Sequence, residues 1–70
     1  MTREVLAKII KQRRKQLKIT QVDLALLSDI STRQLSDIET AQVSTTIDTL
    51  GKIFETLGLT LEVKIKGVES

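Results

Sequence analysis

Length is the strongest constraint on this chain, because 70 residues without a cysteine must fold around one small core. A chain of this size buries only about 60% of the surface that it exposes when unfolded, so its stability margin is narrow. With no disulfide to hold it together, nearly every apolar side chain must enter the core or cover a second chain. We therefore expect residues 1–70 to form a single domain.

The composition excludes several classes of function. The chain has no cysteine and no histidine, which rules out disulfides, Cys/His zinc sites, thiol nucleophiles and histidine acid–base chemistry. Its acids lie on different segments and no glycine-rich phosphate loop is present, so we expect neither an enzyme nor a cofactor. No apolar run approaches the ~18 residues of a membrane span, and no signal peptide is evident, which favours a cytoplasmic location.

Charge is unevenly distributed along the chain. Residues 1–20 contain seven basic side chains and one acidic one, a net charge of +6, whereas residues 21–48 contain one basic and five acidic side chains, a net charge of −4. A basic first third favours a polyanionic partner, with nucleic acid ahead of an anionic membrane. A charge run alone is more typical of a solvated helix face, so this interpretation needs a motif beside it.

Apolar spacing and capping residues predict a mainly helical chain. The four predicted helices run from Arg3 to Leu17, from Gln21 to Leu27, from Thr32 to Glu39, and from a cap at Thr45 or Thr46 through Leu57. Gly58 is suited to the left-handed position after the last helix, with Leu59 as the apolar residue that follows. Gly51 costs about 1 kcal/mol inside that helix, which favours close helix–helix packing there.

Helical periodicity also predicts which side chains enter the core. The inward positions are Val5, Leu6, Ile9, Ile10 and Leu17 in the first helix, Leu24 and Ala25 in the second, Leu35 and Ile38 in the third, and Ile47, Leu50, Ile53, Phe54 and Leu57 in the fourth.

The period changes from 3.6 to 2 after Gly58. Leu61, Val63 and Ile65 alternate with polar residues, which predicts a half-buried strand within residues 59–67 that follows a helical bundle of residues 1–58. Because a lone strand leaves backbone groups unpaired, its simplest partner is the same strand of a second copy across a dyad. The alternative is a frayed tail that lies on the helices.

Two short helices joined by a tight turn, behind a basic first helix, outline a helix-turn-helix. The stretches Thr20-Gln21-Val22-Asp23-Leu24-Ala25 and Ile30-Ser31-Thr32-Arg33-Gln34-Leu35-Ser36-Asp37-Ile38-Glu39 resemble the Cro/XRE repressor family. With Leu61-Glu62-Val63 appended, residues 5 to 66 most resemble HipB-like antitoxins, the small DNA-binding partners of HipA-type kinases.

This resemblance implies a fold and a function. The fold is an all-α, lambda-repressor-like bundle of four to five helices with one C-terminal β-strand that pairs across a homodimer. The function is that of a repressor, one half of a type II toxin–antitoxin pair, which binds a palindromic operator in double-stranded DNA and neutralises a HipA-like kinase. Asp29 and Ala41 stand where the family usually has glycine, and Val43 where proline is common, so both turns are expected to be strained.

A helical wheel separates the two sides of the third helix. Leu35 and Ile38 mark the buried side, and the opposite side holds the candidate base-reading residues Thr32, Arg33, Ser36 and Asp37. Arg33 can bond both O6 and N7 of a guanine, and the two hydroxyls can meet either type of base. Asp37 can accept from cytosine N4 or repel phosphate. The alternative for this side is an ordinary solvated helix surface.

Other polar residues are candidates for contacts with DNA phosphates. Gln21 resembles the family's glutamine that clamps the DNA backbone, and the further candidates are Thr20, Ser31, Gln34, Thr45, Thr46, Lys15 and Lys18. For the hydroxyls the alternative role is helix capping alone. The resemblance also implies a structural ion pair between Arg14 and Glu39, which leaves Lys11, Arg13, Lys15 and Lys18 as the freer cations.

Leu26 and Leu27 are expected to face solvent at least in part, since Leu24 and Ala25 point inward. Two adjacent exposed leucines indicate a contact with a toxin or a neighbouring dimer, or else are a surface accident. Two further functions remain open: a stand-alone XRE-family repressor, and a protein–protein adaptor that has lost DNA binding.

Overall fold

The computed structural model describes residues 1–62 and 66–67. In that part of the chain there are four helices and no strand: α1 (Arg3–Gln16), α2 (Gln21–Leu27), α3 (Thr32–Glu39) and α4 (Ile47–Leu57). The structure confirms the helical bundle expected from sequence, and each observed helix boundary lies within one residue of the predicted one. Of the two candidate caps for the last helix, Thr46 is the one used, because its side chain accepts the amide of Thr49.

Each helix begins at a hydroxyl residue. Thr2, Thr20, Ser31 and Thr46 have extended backbones, and each side chain accepts a backbone N–H from the residue three positions later. At Thr20 the interaction is reciprocal, since the Asp23 carboxylate accepts the backbone N–H of Thr20. A cap of this kind contributes about 1 kcal/mol, so these residues fix where each helix starts.

All four helices end in the same left-handed turn. After α1, α2 and α3 the left-handed residue follows the C-cap, and these residues are Lys18, Asp29 and Ala41, with φ of 57° or 58°. After α4 it is the C-cap itself, Gly58, with a φ of 69°. After α2, for example, the amide of Ile30 donates to the carbonyl of Ala25 at 3.0 Å and that of Asp29 donates to Leu26 at 3.2 Å. Positive φ at Asp29 and Ala41 agrees with the strain expected there, whereas that at Lys18 was not foreseen.

The core lies where the four helices meet. It consists of Ile10, Leu24, Ala25, Leu35, Ile38, Leu50, Ile53, Phe54 and Leu57, with Leu6, Ile9, Ile19, Ile30 and Leu59 packed against it. The prediction that Ile47 belongs to this core is wrong, since its side chain is 71% exposed. Ile47 is the first residue of α4 and lies one turn before that helix enters the core at Leu50. Val5 and Leu17, at the two ends of α1, are also exposed.

Gly51 lies on an exposed part of α4. A Cβ atom built at this position meets nothing within 4 Å apart from its chain neighbours and the backbone of its own helix. The expectation of close helix–helix packing at Gly51 is therefore wrong within this chain.

The predicted C-terminal strand, within residues 59–67, includes residues 63–65, which the structure does not describe. Val63 and Ile65 lie outside the described residues, and the described Leu61 is exposed and not part of a strand. Pairing of this segment across a dyad stays a prediction. No helix among the described residues is long and apolar enough to cross a membrane.

We expect Gly58→Ala and Gly51→Ala to change stability in opposite directions. At Gly58 the φ of 69° is unfavourable for alanine, so this variant should lose about 1 kcal/mol of unfolding free energy. At Gly51 the backbone is helical and the space is open, so alanine should stabilise the protein by about 1 kcal/mol. Urea unfolding of both variants measures this, and a loss at Gly51 would contradict the open surface described here.

Candidate nucleic-acid interface

Helices α2 and α3 are joined by a four-residue turn, residues 28–31, that is tied to the rest of the bundle. Ser28 is buried, and its hydroxyl lies 3.3 Å from that of Thr56 in α4. Asp29 takes the left-handed conformation, and Ile30 packs against the core. The turn therefore holds α3 in one orientation relative to α2 and α4. The Ser28 contact was not foreseen, because sequence spacing does not indicate which helix covers the turn.

The third helix has one buried and one open side. Leu35 and Ile38 are 0% and 3% exposed. Thr32, Arg33 and Gln34 are exposed, while Ser36 and Asp37 are half-buried. The structure thus places the four candidate base-reading residues away from the core, on the side that the wheel predicted. Their individual base contacts stay predictions.

A buried ion pair joins the end of α3 to α1. The Glu39 side chain is 1% exposed and that of Arg14 is 11% exposed. Arg14 Nε donates to Glu39 Oε2 at 2.8 Å and Arg14 Nη2 donates to Oε1 at 3.0 Å. The hydrogen bond to Glu39, helped by the attraction of its charge and opposed by burial, raises the pKa of Arg14 above its ordinary value. The guanidinium also donates to the carbonyl of Ile19 at 3.0 Å, which holds the turn before α2.

Gln21 belongs to the same hydrogen-bonded group. Its Nε2 donates to Glu39 Oε1 at 3.1 Å, and the residue is half-buried at the first position of α2. The resemblance implied a glutamine that contacts phosphate, and this contact stays a prediction. The structure adds that one N–H of the amide is held by the carboxylate at the end of the third helix.

The candidate hydroxyl residues differ in the hydrogen bonds that they make. Thr20 and Ser31 accept backbone amides as caps, so the hydrogen of each hydroxyl remains available to a phosphate. The hydroxyl of Thr46 donates to that of Thr49 at 3.0 Å, and that of Thr45 approaches the Thr46 carbonyl at 3.5 Å. Thr20 and Ser31 are therefore the better phosphate donors of the four.

Of the four cations expected to be free, Arg13 is not. Its Nε donates to the carbonyl of Leu57 at 3.0 Å, and its guanidinium closes the C-terminal end of α4. Lys11, Lys15 and Lys18 are exposed. A cation often bonds the last carbonyls of a helix, but here it comes from a different helix, so sequence offered no signal for it.

The outer face of α2 is apolar. Leu26 and Leu27 are 77% and 66% exposed, as expected, and Val22 is 60% exposed beside Leu26 at i, i+4 spacing. We refer to these three residues as the α2 face. Val22 was not identified from sequence, although its spacing from Leu26 is a signal that could have found it.

The comparisons with known proteins agree with this arrangement. The profile of a helix-turn-helix family matches residues 10–64, which is most of the chain. The chain belongs to the Cro/XRE-type helix-turn-helix family. In structure it is similar to a point mutant of the restriction-modification controller protein C.Esp1396I, with 29% sequence identity and a TM-score of 0.79. That match covers 83% of this chain and 75% of the controller protein. No curated protein gives a significant match.

Family membership implies that this helix-turn-helix protein binds double-stranded DNA. The family and the fold are thereby shown, whereas a specific likeness to HipB-like antitoxins is not.

We expect Arg33→Ala and Lys15→Ala to weaken DNA binding in different ways. Loss of a bidentate base contact at Arg33 should cost about 1–3 kcal/mol on the specific site and much less on a scrambled duplex. Loss of a phosphate contact at Lys15 should weaken binding to both duplexes equally. It should also reduce the slope of log affinity against log salt concentration by about 1. Fluorescence anisotropy titrations at several salt concentrations measure both. An equal loss on both duplexes for Arg33→Ala would show that Arg33 does not read a base.

Proposed function

We propose that this protein is a sequence-specific transcriptional repressor that binds a palindromic operator as a homodimer, with α3 of each subunit in the major groove. The observation that carries the proposal is the open side of α3, where Thr32 and Arg33 are exposed opposite the buried Leu35 and Ile38. Short or forked polar side chains on a rigidly anchored helix are what base readout requires.

The charge distribution supports a specific rather than a general DNA binder. Residues 1–20 have a net charge of +6, but Arg33 is the single basic residue among residues 21–48, which include the whole recognition region. Phosphates next to an acidic helix are bound weakly, so non-specific affinity should be modest. Tight binding then depends on two subunits acting together.

The dimer proposal depends on the sequence of the C-terminal segment. A single module of this size buries less surface on DNA than a dimer does. The alternation of Leu61, Val63 and Ile65 is suited to pairing with its own copy. The two-fold axis of such a dimer would coincide with that of an inverted-repeat operator.

A stand-alone regulator is the better supported of the two regulatory roles. The similarity to a restriction-modification controller protein favours it. The second candidate is an antitoxin of the HipB type that also binds a HipA-like kinase, and the observation in its favour is the exposed α2 face. A gel-filtration shift with a kinase from the neighbouring gene would support the antitoxin. Failure to shift the protein's own promoter would favour an adaptor over both.

We expect the spacing of the two half-sites to control affinity. Two recognition helices on one face of the duplex require half-site centres about one helical turn apart, ~10 bp, or a multiple of it. Inserting ~5 bp rotates one half-site to the far side, so affinity should fall to near the non-specific level. Footprinting and titration of the wild-type chain on spacer variants test this. Undiminished binding to the half-turn variant would mean that the subunits bind independently.

We expect deletion of residues 60–70 to give a monomer with greatly weakened operator binding. The physical reason is that the truncated chain loses the alternating segment with which the second copy is proposed to pair. Sedimentation velocity measures the oligomeric state, and circular dichroism verifies that the four helices remain. A truncated protein that still sediments as a dimer would overturn the strand-pairing proposal, whatever its affinity for DNA.

A further inference from the structure

Glu39 is the most deeply buried charged side chain described, and it connects its own helix to two others. It is the last residue of α3, and its two oxygens accept three hydrogen bonds. Two come from Arg14 in α1, and the third comes from the side-chain amide of Gln21 at the start of α2. The carboxylate thus joins the basic helix and the candidate phosphate-binding residue to the candidate recognition helix.

The third hydrogen bond fixes the orientation of an amide. A carboxylate can only accept, so Gln21 must turn Nε2 and not Oε1 toward Glu39. One of the two Nε2 hydrogens is used in this bond, and the other remains. A phosphate oxygen is attracted by the remaining N–H and repelled by the side-chain carbonyl. The orientation that Glu39 imposes therefore decides which of the two groups is ready for phosphate.

Arg14 makes this arrangement compatible with an anionic partner. An unpaired carboxylate next to a phosphate site would repel the DNA backbone. Arg14 neutralises Glu39 through two hydrogen bonds of 2.8 and 3.0 Å, so the charge of the pair is balanced. The carboxylate can then hold Gln21 without a net negative charge at the interface.

We propose that Glu39 is a positioning residue for DNA binding, which holds the Gln21 amide so that an N–H faces the phosphate backbone. The inference depends on the proposed function, since it assigns a DNA contact to Gln21. It separates two roles of Glu39. Its ion pair with Arg14 holds α1 against α3, and its bond to Gln21 prepares the DNA contact.

The two roles can be separated because buried ion pairs are replaceable. Apolar residues of similar volume often maintain or increase stability at such sites, so the double variant Arg14→Met/Glu39→Met should fold while leaving Gln21 unheld. Its net charge equals that of the wild type. A matched control is Lys52→Met/Glu55→Met, which removes one charge of each sign from exposed positions of α4.

The experiment is a thermodynamic cycle on DNA affinity with the full chain. It compares wild type, Gln21→Ala, the Arg14/Glu39 double variant and the triple variant, by anisotropy on operator and scrambled duplexes at one salt concentration. We expect Gln21→Ala and the double variant each to reduce DNA affinity about tenfold per subunit on both duplexes, which is the size expected for one hydrogen bond to a charged group. The triple variant should lose no more affinity than either of these variants. The control should bind DNA as tightly as the wild type does.

Two outcomes of the cycle would overturn the inference. One is a double variant that binds as tightly as wild type, and the other is a triple variant whose loss is the product of the two separate losses. Absence of any DNA binding by the wild-type chain would overturn the proposed function and this inference with it. Binding without coupling would overturn this inference alone.

A second measurement uses the unmodified protein and does not depend on any variant folding. In NMR spectra of the free wild-type chain, one of the two Gln21 Nε2 hydrogens should exchange slowly with water, since it donates to Glu39. Addition of operator should shift mainly the other. Equal, fast exchange of both hydrogens would overturn the inference.

Discussion

The bond between Arg14 and Glu39 is the interaction on which the rest of this structure depends. A carboxylate with 1% of its surface exposed must be neutralised and hydrogen-bonded, and its partners come from two other helices. Removing one member of such a pair typically costs about 3–5 kcal/mol, which is a large part of the stability of a domain this small. One side chain therefore links α1, α2 and α3, in addition to the apolar core that they share. Because Arg14 also holds the Ile19 carbonyl, the same group positions the turn that leads into α2.

Short turns are the second means by which a chain of this length makes a stable bundle. Every helix starts at a hydroxyl cap and ends in a left-handed residue. After each helix a backbone amide donates back to a carbonyl of its last turn, from Ile19, Ile30, Gln42 and Leu59. Three of those left-handed residues have side chains, each at a cost of about 1–2 kcal/mol. The apolar residues that follow, such as Ile19 and Ile30, pack against the core and offset part of that strain.

The open side of α3 and its buried side have separate physical tasks. Leu35 and Ile38 fix the position of the helix, whereas Thr32 and Arg33 contribute little to the core. Substitutions on the open side should therefore change which bases are read while leaving the fold intact. Glu39 is the exception, because it lies at the end of the same helix and connects stability with the candidate phosphate contact of Gln21.

Local patterns allowed the sequence to determine the four helices, the hydroxyl caps of the last three, the left-handed Gly58 and the division of α3 into a buried and an open side. These features depend on residues within one or two turns of each other, which is the range over which backbone hydrogen bonds and helical periodicity act. Only the tertiary structure showed that Arg13 closes the end of α4, that Gln21 is held by Glu39, and that Ile47 and Gly51 face open space. Arg13 and the Leu57 carbonyl are 44 positions apart. Such long-range contacts form only where helix ends approach one another in space. Which helix ends do so depends on the packing of the whole bundle and not on any local sequence pattern.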